Sequence, residues 1–236
     1  MPQHIGIVAC SAEGAALCYR TIAEEGALVM GRHAHPEVSM HTHPLSEYME
    51  FIYQDDWQGV AGLMLSSAKK LAAIGADFLI CPDNTIHQAL PEVLPRSPLP
   101  WLHIAEVVAG EARAHGYRKL AVLGTRYLMN SAVYPGKLEA AGITRLIPRP
   151  DEQEEINRVI FDDLVHGRFQ PAARKYFVGV IQRMQSEGCD AVVLGCTEIP
   201  LLISQHDSPL PTLDSTRLLA RAAVQKAIGS AVATAG

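Results

Sequence analysis

The sequence predicts an α/β fold built from two similar units, each around a parallel sheet, and three observations carry that expectation. Four short runs, at residues 4–10 (HIGIVAC), 77–82 (DFLICP), 119–125 (KLAVLGT) and 190–195 (DAVVLG), are apolar throughout rather than alternating. That is the pattern of strands buried on both faces of a parallel sheet. The stretches between them carry apolar residues at helical spacing. The chain also repeats itself: "GADFLICPDNTIH" at 75–87 lies over "GCDAVVLGCTEIP" at 188–200 without a gap, and "IGIVACSAEGAALCY" resembles "LAVLGTRYLMNSAVY". The tetrapeptide "SPLP" occurs twice as well, at 97–100 and 208–211. Ile5 and Leu120, Asp83 and Cys196, and Ser97 and Ser208 stand 115, 113 and 111 residues apart. A near-constant offset over three elements in order points to duplication of a whole unit.

The elements follow in sequence. The first strand runs out at Ala9-Cys10-Ser11. "DWQGVAGLMLSSAKKLAAIGA" reads as a helix stopped by Gly75, and the strand after it breaks into Pro82-Asp83-Asn84-Thr85. "LPEVLPRSPLP" is expected to carry the chain from a first unit, residues 1–98, into a second, residues 99–209. There "RKYFVGVIQRMQSEGCD" reads as a helix stopped by Gly188, and the next strand breaks into Cys196-Thr197-Glu198. "SQHDSPLP" would carry the chain back, so that residues 210–236, a strand end and a helix, complete the first unit.

Composition bounds the function classes. The chain has 236 residues, 48% hydrophobic and 19% charged, with a formal charge of −5 and no basic run. That argues against nucleic acid or an anionic membrane as partner. No apolar run is long enough to span a bilayer, and no basic segment precedes the first apolar stretch as in a signal peptide. Five cysteines without disulfide-scaffold or C-x-x-C spacing read as reduced thiols in a cytoplasmic protein.

In parallel α/β sheets, ligands bind at the C-terminal strand ends. Asp83 and Cys196 both stand just past such an end. If the two units face each other, these groups approach one ligand from opposite sides, the geometry for taking a proton from a carbon and returning one to its other face. Asn84, Thr85 and Thr197 could hold a substrate carboxylate and stabilise charge developing on it. Ser11 and Thr125 end equivalent strands and could reach the same crevice. Asp83 could instead be the N-cap of a helix at 84–90. Cys196 is expected at a helix start, where the dipole favours thiolate. His87 either tunes Asp83 or packs, and Glu198 either caps or orients Cys196.

"LGCTEIPLLI" resembles the second cysteine motif of the aspartate/glutamate racemase family, and "PDNTIH" stands where that family has its first motif, usually Cys-Asn-Thr with His close behind. "LGTRYLM", "FDDLVHG" and "LDST" resemble further family segments in order. The resemblance covers nearly the whole chain. It implies two pseudo-symmetric, flavodoxin-like domains with the active site between them, cofactor-independent amino-acid racemisation, and a homodimer. By the same resemblance Cys196 is one acid/base, Asp83 takes the place of the first catalytic cysteine, and Asp214 and Thr216 line the crevice. The opening Gly-Gly-Met of the family reads Ala9-Cys10-Ser11 here, and "HAHPEVSMHTHPLSEY" stands where the family has its substrate-binding arginine.

The expected substrate is a small amino acid or dicarboxylate. Hydantoin racemases, maleate isomerases and arylmalonate decarboxylases share the scaffold and are the alternatives. A degenerate protein that binds a small carboxylate without turning it over is the non-enzymatic one. His33, His35, His41 and His43 form two H-x-H pairs, read as a polar loop rather than a metal site; no metal and no cofactor is expected. Cys10, Cys18, Cys81 and Cys189 read as packing residues.

Overall fold

The computed structural model describes residues 1–232. One compact unit comprises Met1–Ile104 together with the segment from Thr216 onward, and the other comprises Ala105–Ser215. The end of the stretch read as 210–236, residues 233–236, lies outside the described residues.

The first unit runs β1 (Ile5–Ala9), α1 (Ala12–Met30), β2 (Val38–Thr42), α2 (Leu45–Tyr53), α3 (Trp57–Ala73) and β3 (Phe78–Ile80). A 3-10 turn at Thr85–Ala89, α4 (Leu90–Val93) and a second 3-10 turn at Leu94–Arg96 follow. The sheet order is β2-β1-β3, all parallel, and Trp101 adds a parallel bridge to Leu79.

The second unit runs α5 (Ile104–Ala114), β4 (Lys119–Leu123), α6 (Arg126–Met129), α7 (Pro135–Ala140), β5 (Thr144–Leu146) and α8 (Pro150–Asp162). After a 3-10 turn at Leu164–His166 come α9 (Pro171–Ser186), β6 (Ala191–Leu194), α10 (Ile199–Leu202) and β7 (Thr212–Asp214). Its order is β5-β4-β6-β7, again all parallel. α11 (Ser215–Val232) begins at the division and belongs to the first unit from Thr216 onward. Phe177, Ile181 and Met184 of α9 pack with Ile156 and Ile160 of α8 and with Val192 and Leu194 of β6. Each such side chain contributes about 1.5–3 kcal/mol of hydrophobic stabilisation.

The repeat seen in the sequence holds bond by bond. The amide of His4 donates to Asp77, while the amides of Arg118 and Lys119 donate to Asp190, so the aspartates before β3 and β6 anchor the starts of the neighbouring strands β1 and β4. The Leu79 amide donates to Pro100 O at 2.8 Å, and the Val192 amide to Pro211 O at 2.9 Å. Ser97 and Ser208 each donate to the carbonyl two residues on, Leu99 and Leu210. Gly75 and Gly188, just past α3 and α9, both stand at φ 92°, where a Cβ would be strained.

All four sequence-read strands are present within their expected spans. β2 and β5 were not anticipated. Both are sheet edges: β2 (VSMHT) alternates apolar and polar and is half-exposed, and β5 (TRL) has only three residues. Both proline-rich stretches lie inside their units rather than at the divisions, which fall after Ile104 and Ser215. No helix among the described residues is long and apolar enough to cross a membrane.

Candidate active site

The residues singled out from the sequence gather at the C-terminal ends of the strands, in two groups, one per unit.

In the first unit, β1 ends into Ser11 and β3 into Asp83. Ser11 is the N-cap of α1: its hydroxyl accepts from the Gly14 amide at 3.2 Å. Its own amide donates to Asp83 Oδ2 at 3.0 Å, with the hydroxyl 3.5 Å from the same oxygen. Asp83 is half-buried and does not hold the cap position of the turn that follows; Asn84 does. The carboxylate reaches instead across to the end of β1. Asn84 and His87 are buried and Thr85 is half-buried. His87 Nε2 lies 3.0 Å from Cys81 O, and since a carbonyl only accepts, Nε2 carries the hydrogen. His87 therefore braces the strand end two residues before Asp83, with its ring edge-on to His103 at 4.8 Å. The Cys81 thiol donates to Asp83 O at 3.7 Å; burial, then the Asp83 charge, push that thiol well above the ordinary range.

In the second unit, Thr125 is the N-cap of α6, its hydroxyl accepting from the Leu128 amide at 3.2 Å. The Gly195 amide donates to Leu123 O at 2.8 Å, and a Cβ on Gly195 would lie 2.8 Å from that oxygen, so only glycine fits between strand and thiol. Cys196 follows. Its Sγ donates to Glu198 Oε2 at 2.8 Å, while Thr197 and Glu198 are themselves buried. Asp214 closes β7 in register with Leu194, and the Ser215 hydroxyl donates to Leu194 O at 2.9 Å. Thr216 is buried.

Two expectations are corrected. Cys196 does not start a helix: α10 begins at Ile199 and is four residues long, and the thiol bonds the Glu198 carboxylate. Glu198 occupies the N-cap position of α10 without a side-chain cap bond. The four histidines do not form one polar loop either. His41 lies in β2 and His43 just after it, rings 4.9 Å apart, whereas His33 sits in a left-handed turn at φ 65° and His35 bonds Pro36 O. Among the described residues no group of three or more His, Cys, Asp or Glu side chains is placed to hold a metal ion. All five cysteines are thiols; four are buried and Cys196 is partly exposed. Tyr48, fully buried in α2, was not foreseen, because nothing in "LSEYMEFIY" separates it from core packing.

The comparisons agree with this architecture. The profile of the family described as Asp/Glu/Hydantoin racemase matches residues 6–223. The curated Bacillus subtilis protein named broad specificity amino-acid racemase RacX is 28% identical over 164 residues, 68% of this chain and 69% of that one. A solved Yersinia pestis structure described as a candidate Asp/Glu racemase superposes with a TM-score of 0.88 at 29% identity, covering 96% of this chain and 99% of its own. An aspartate racemase homologue from Pyrococcus horikoshii does so with a TM-score of 0.83 at 29% identity, with the same coverage. The match over nearly the whole chain, together with the two parallel-sheet units and the Gly-Cys-Thr-Glu turn after β6, shows that the chain belongs to the Asp/Glu/Hydantoin racemase family.

Proposed function

We propose that the protein racemises a small amino acid without a cofactor, with Cys196 and Asp83 as the two acid/base groups acting on opposite faces of one α-carbon. The observation that carries this reading is the hydrogen bond from Cys196 Sγ to Glu198, a thiol tied to a buried carboxylate at a strand end in a member of a racemase family. Glu198 is positioned to accept the thiol proton, which readies the sulfur as a base.

With Cys196 as base, the Cα–H proton passes to sulfur and the electron pair moves into the substrate carboxylate. Protonated Asp83 then gives its proton to the other face, and the pair returns to carbon. The reverse reaction exchanges the roles. Asn84, Thr85 and Thr197 are placed just past the two strand ends, where donors can hold the carboxylate that takes up the charge. Ser11 and Thr125 support from the paired strands, His87 braces the strand end before Asp83, and Asp214 closes the strand beside β6.

The test is α-proton exchange in D₂O, followed by proton NMR, over a pool of L- and D-amino acids. Exchange with inversion, lost in Cys196→Ala, supports the reading. Absence of exchange across the pool overturns it, and carbon dioxide release from a malonate would then place the chain in the decarboxylase branch.

A further inference from the structure

The edges of the two sheets are finished differently. β3 is not bare: the Leu79 amide donates to Pro100 O and the Leu102 amide to Leu79 O, so the chain at 100–102 covers it. β5 and β7, the edges of the other sheet, have three residues each. β2 has five, and among the described residues it pairs with β1 alone. The Ile5 amide donates to Glu37 O, in the register that sets Ile5 against Val38 and Ala9 against Thr42. Successive residues of such a ladder bond to opposite sides. Ser39 and His41 therefore turn amide and carbonyl toward β1, and Val38, Met40 and Thr42 turn theirs outward. An outward row of this kind is a template for another strand, and edges that stay single are blunted by Lys, Pro or a bulge. The five residues of β2 carry none of these.

The side chains are sorted as well. His41 and His43 face α3, through Ser67 and Ser66, and Ser39 meets His4. By strand alternation Val38, Met40 and Thr42 take the opposite face, where Met40 is 51% exposed. A large apolar side chain thus stands in the open at the middle of an unpaired edge.

The segment is also symmetric in chemistry about Met40. Going outward along "PEVSMHTHP", polar Ser39 matches polar His41, β-branched Val38 matches β-branched Thr42, the acid Glu37 matches the base His43, and Pro36 matches Pro44. We infer that the edge of β2 is an interface with a second copy of this chain, joined antiparallel about a twofold axis at Met40 into one sheet of order β3-β1-β2-β2-β1-β3. A closed twofold contact brings the same patch against itself, and so needs a self-complementary one. In this register Met40 lies opposite the partner's Met40 and Val38 opposite the partner's Thr42. All of these have outward amides and carbonyls, so each pair exchanges both backbone bonds. Glu37 lies opposite the partner's His43 in a non-bonded pair, where facing side chains come closest. A largely exposed carboxylate thereby meets an imidazole at each end of the joint. The prolines have no amide to offer and stop the pairing on both sides.

Light scattering on the full chain, over about a hundredfold range of concentration, reads its mass, and the parent should be a dimer. Met40→Pro removes the outward amide at the axis and leaves the bonds to β1 in place. It should weaken dimerisation at least about tenfold, with a circular dichroism spectrum like the parent's. Met40→Lys puts a charge at the axis and should weaken it too, which keeps the test decisive if the proline variant fails to fold. Met40→Cys sets two thiols across the axis, with Cα atoms about 5.5 Å apart and within disulfide reach. On mild oxidation it should run as a covalent dimer on a non-reducing gel. The parent and Ile74→Cys, at an exposed apolar position on another element, should not. A parent that is monomeric throughout overturns the inference. So does a dimer that Met40→Pro and Met40→Lys both leave intact, or that Met40→Cys does not cross-link, because the copies then meet elsewhere.

Discussion

The thiol of Cys196 donates to Glu198 across 2.8 Å, two residues apart on one turn, with the carboxylate side chain buried and the sulfur partly exposed. The turn after β6 therefore leaves the sulfur partly exposed and keeps its hydrogen-bond acceptor buried.

Removing the sulfur should abolish the chemistry and spare the fold. Cys196→Ala is expected to lower α-proton exchange by about 10³-fold, with a circular dichroism spectrum unchanged from the parent.

The carboxylate behind the sulfur should matter most where the thiol cannot ionise unaided. Glu198→Gln is expected to lower kcat/KM about tenfold near neutral pH. The loss should narrow above about pH 8.5, where a free thiol ionises in water. A pH–rate profile of the two proteins checks this; a deficit that stays constant with pH would argue for a packing role only.

Asp83 and Cys196 are chemically unlike, so the two directions of racemisation should differ in rate. At matched saturation, L- and D-enantiomers are expected to give unequal kcat values, and Asp83→Asn should suppress inversion while leaving some exchange through Cys196. Equal kcat values would speak against the unequal pair.

Folding stability should depend on pH through His41. Its pKa is lowered below the usual 6.5 by burial and then by Lys70 and His43, so the unfolded chain binds this proton more readily than the folded one. That contribution is present above pH 6.5 and is lost as pH falls through the folded value. Thermal unfolding between pH 7.5 and 5.5 should show a smaller drop for His41→Gln than for the parent.

The second unit should be anchored by Asp190, which accepts from two backbone amides at the start of β4. Asp190→Ala is expected to cost about 1 kcal/mol, a fall in Tm of about 2–4 °C. Activity of the folded protein should stay within twofold of the parent by the same NMR assay.

Much of this was legible in the sequence because burial writes itself there. β1, β3, β4 and β6 are continuous apolar runs, and Gly75 and Gly188 punctuate the helices before β3 and β6. Ser11, Asp83, Thr125 and Cys196 follow as strand-end residues. What stayed hidden was set by partners distant in the chain. β2 is an edge strand whose half-exposed pattern looks like a loop until β1 pairs with it. His41 gains its meaning from Lys70, 29 residues away, and from Ser67, 26 residues away. Cys196 was expected to feel a helix dipole because Thr-Glu-Ile-Pro resembles a helix start. The helix begins later and is short, and the thiol bonds the adjacent carboxylate instead.

The paired aspartates, Asp77 and Asp190, secure the base of each inner strand at the end remote from Asp83 and Cys196. That anchoring lies a full strand length from the turns, so the same foundation stands beneath two turns of different chemistry. Two copies of one scaffold thus stay alike in mechanics while differing in chemistry, one turn ending in a carboxylate and the other in a thiol.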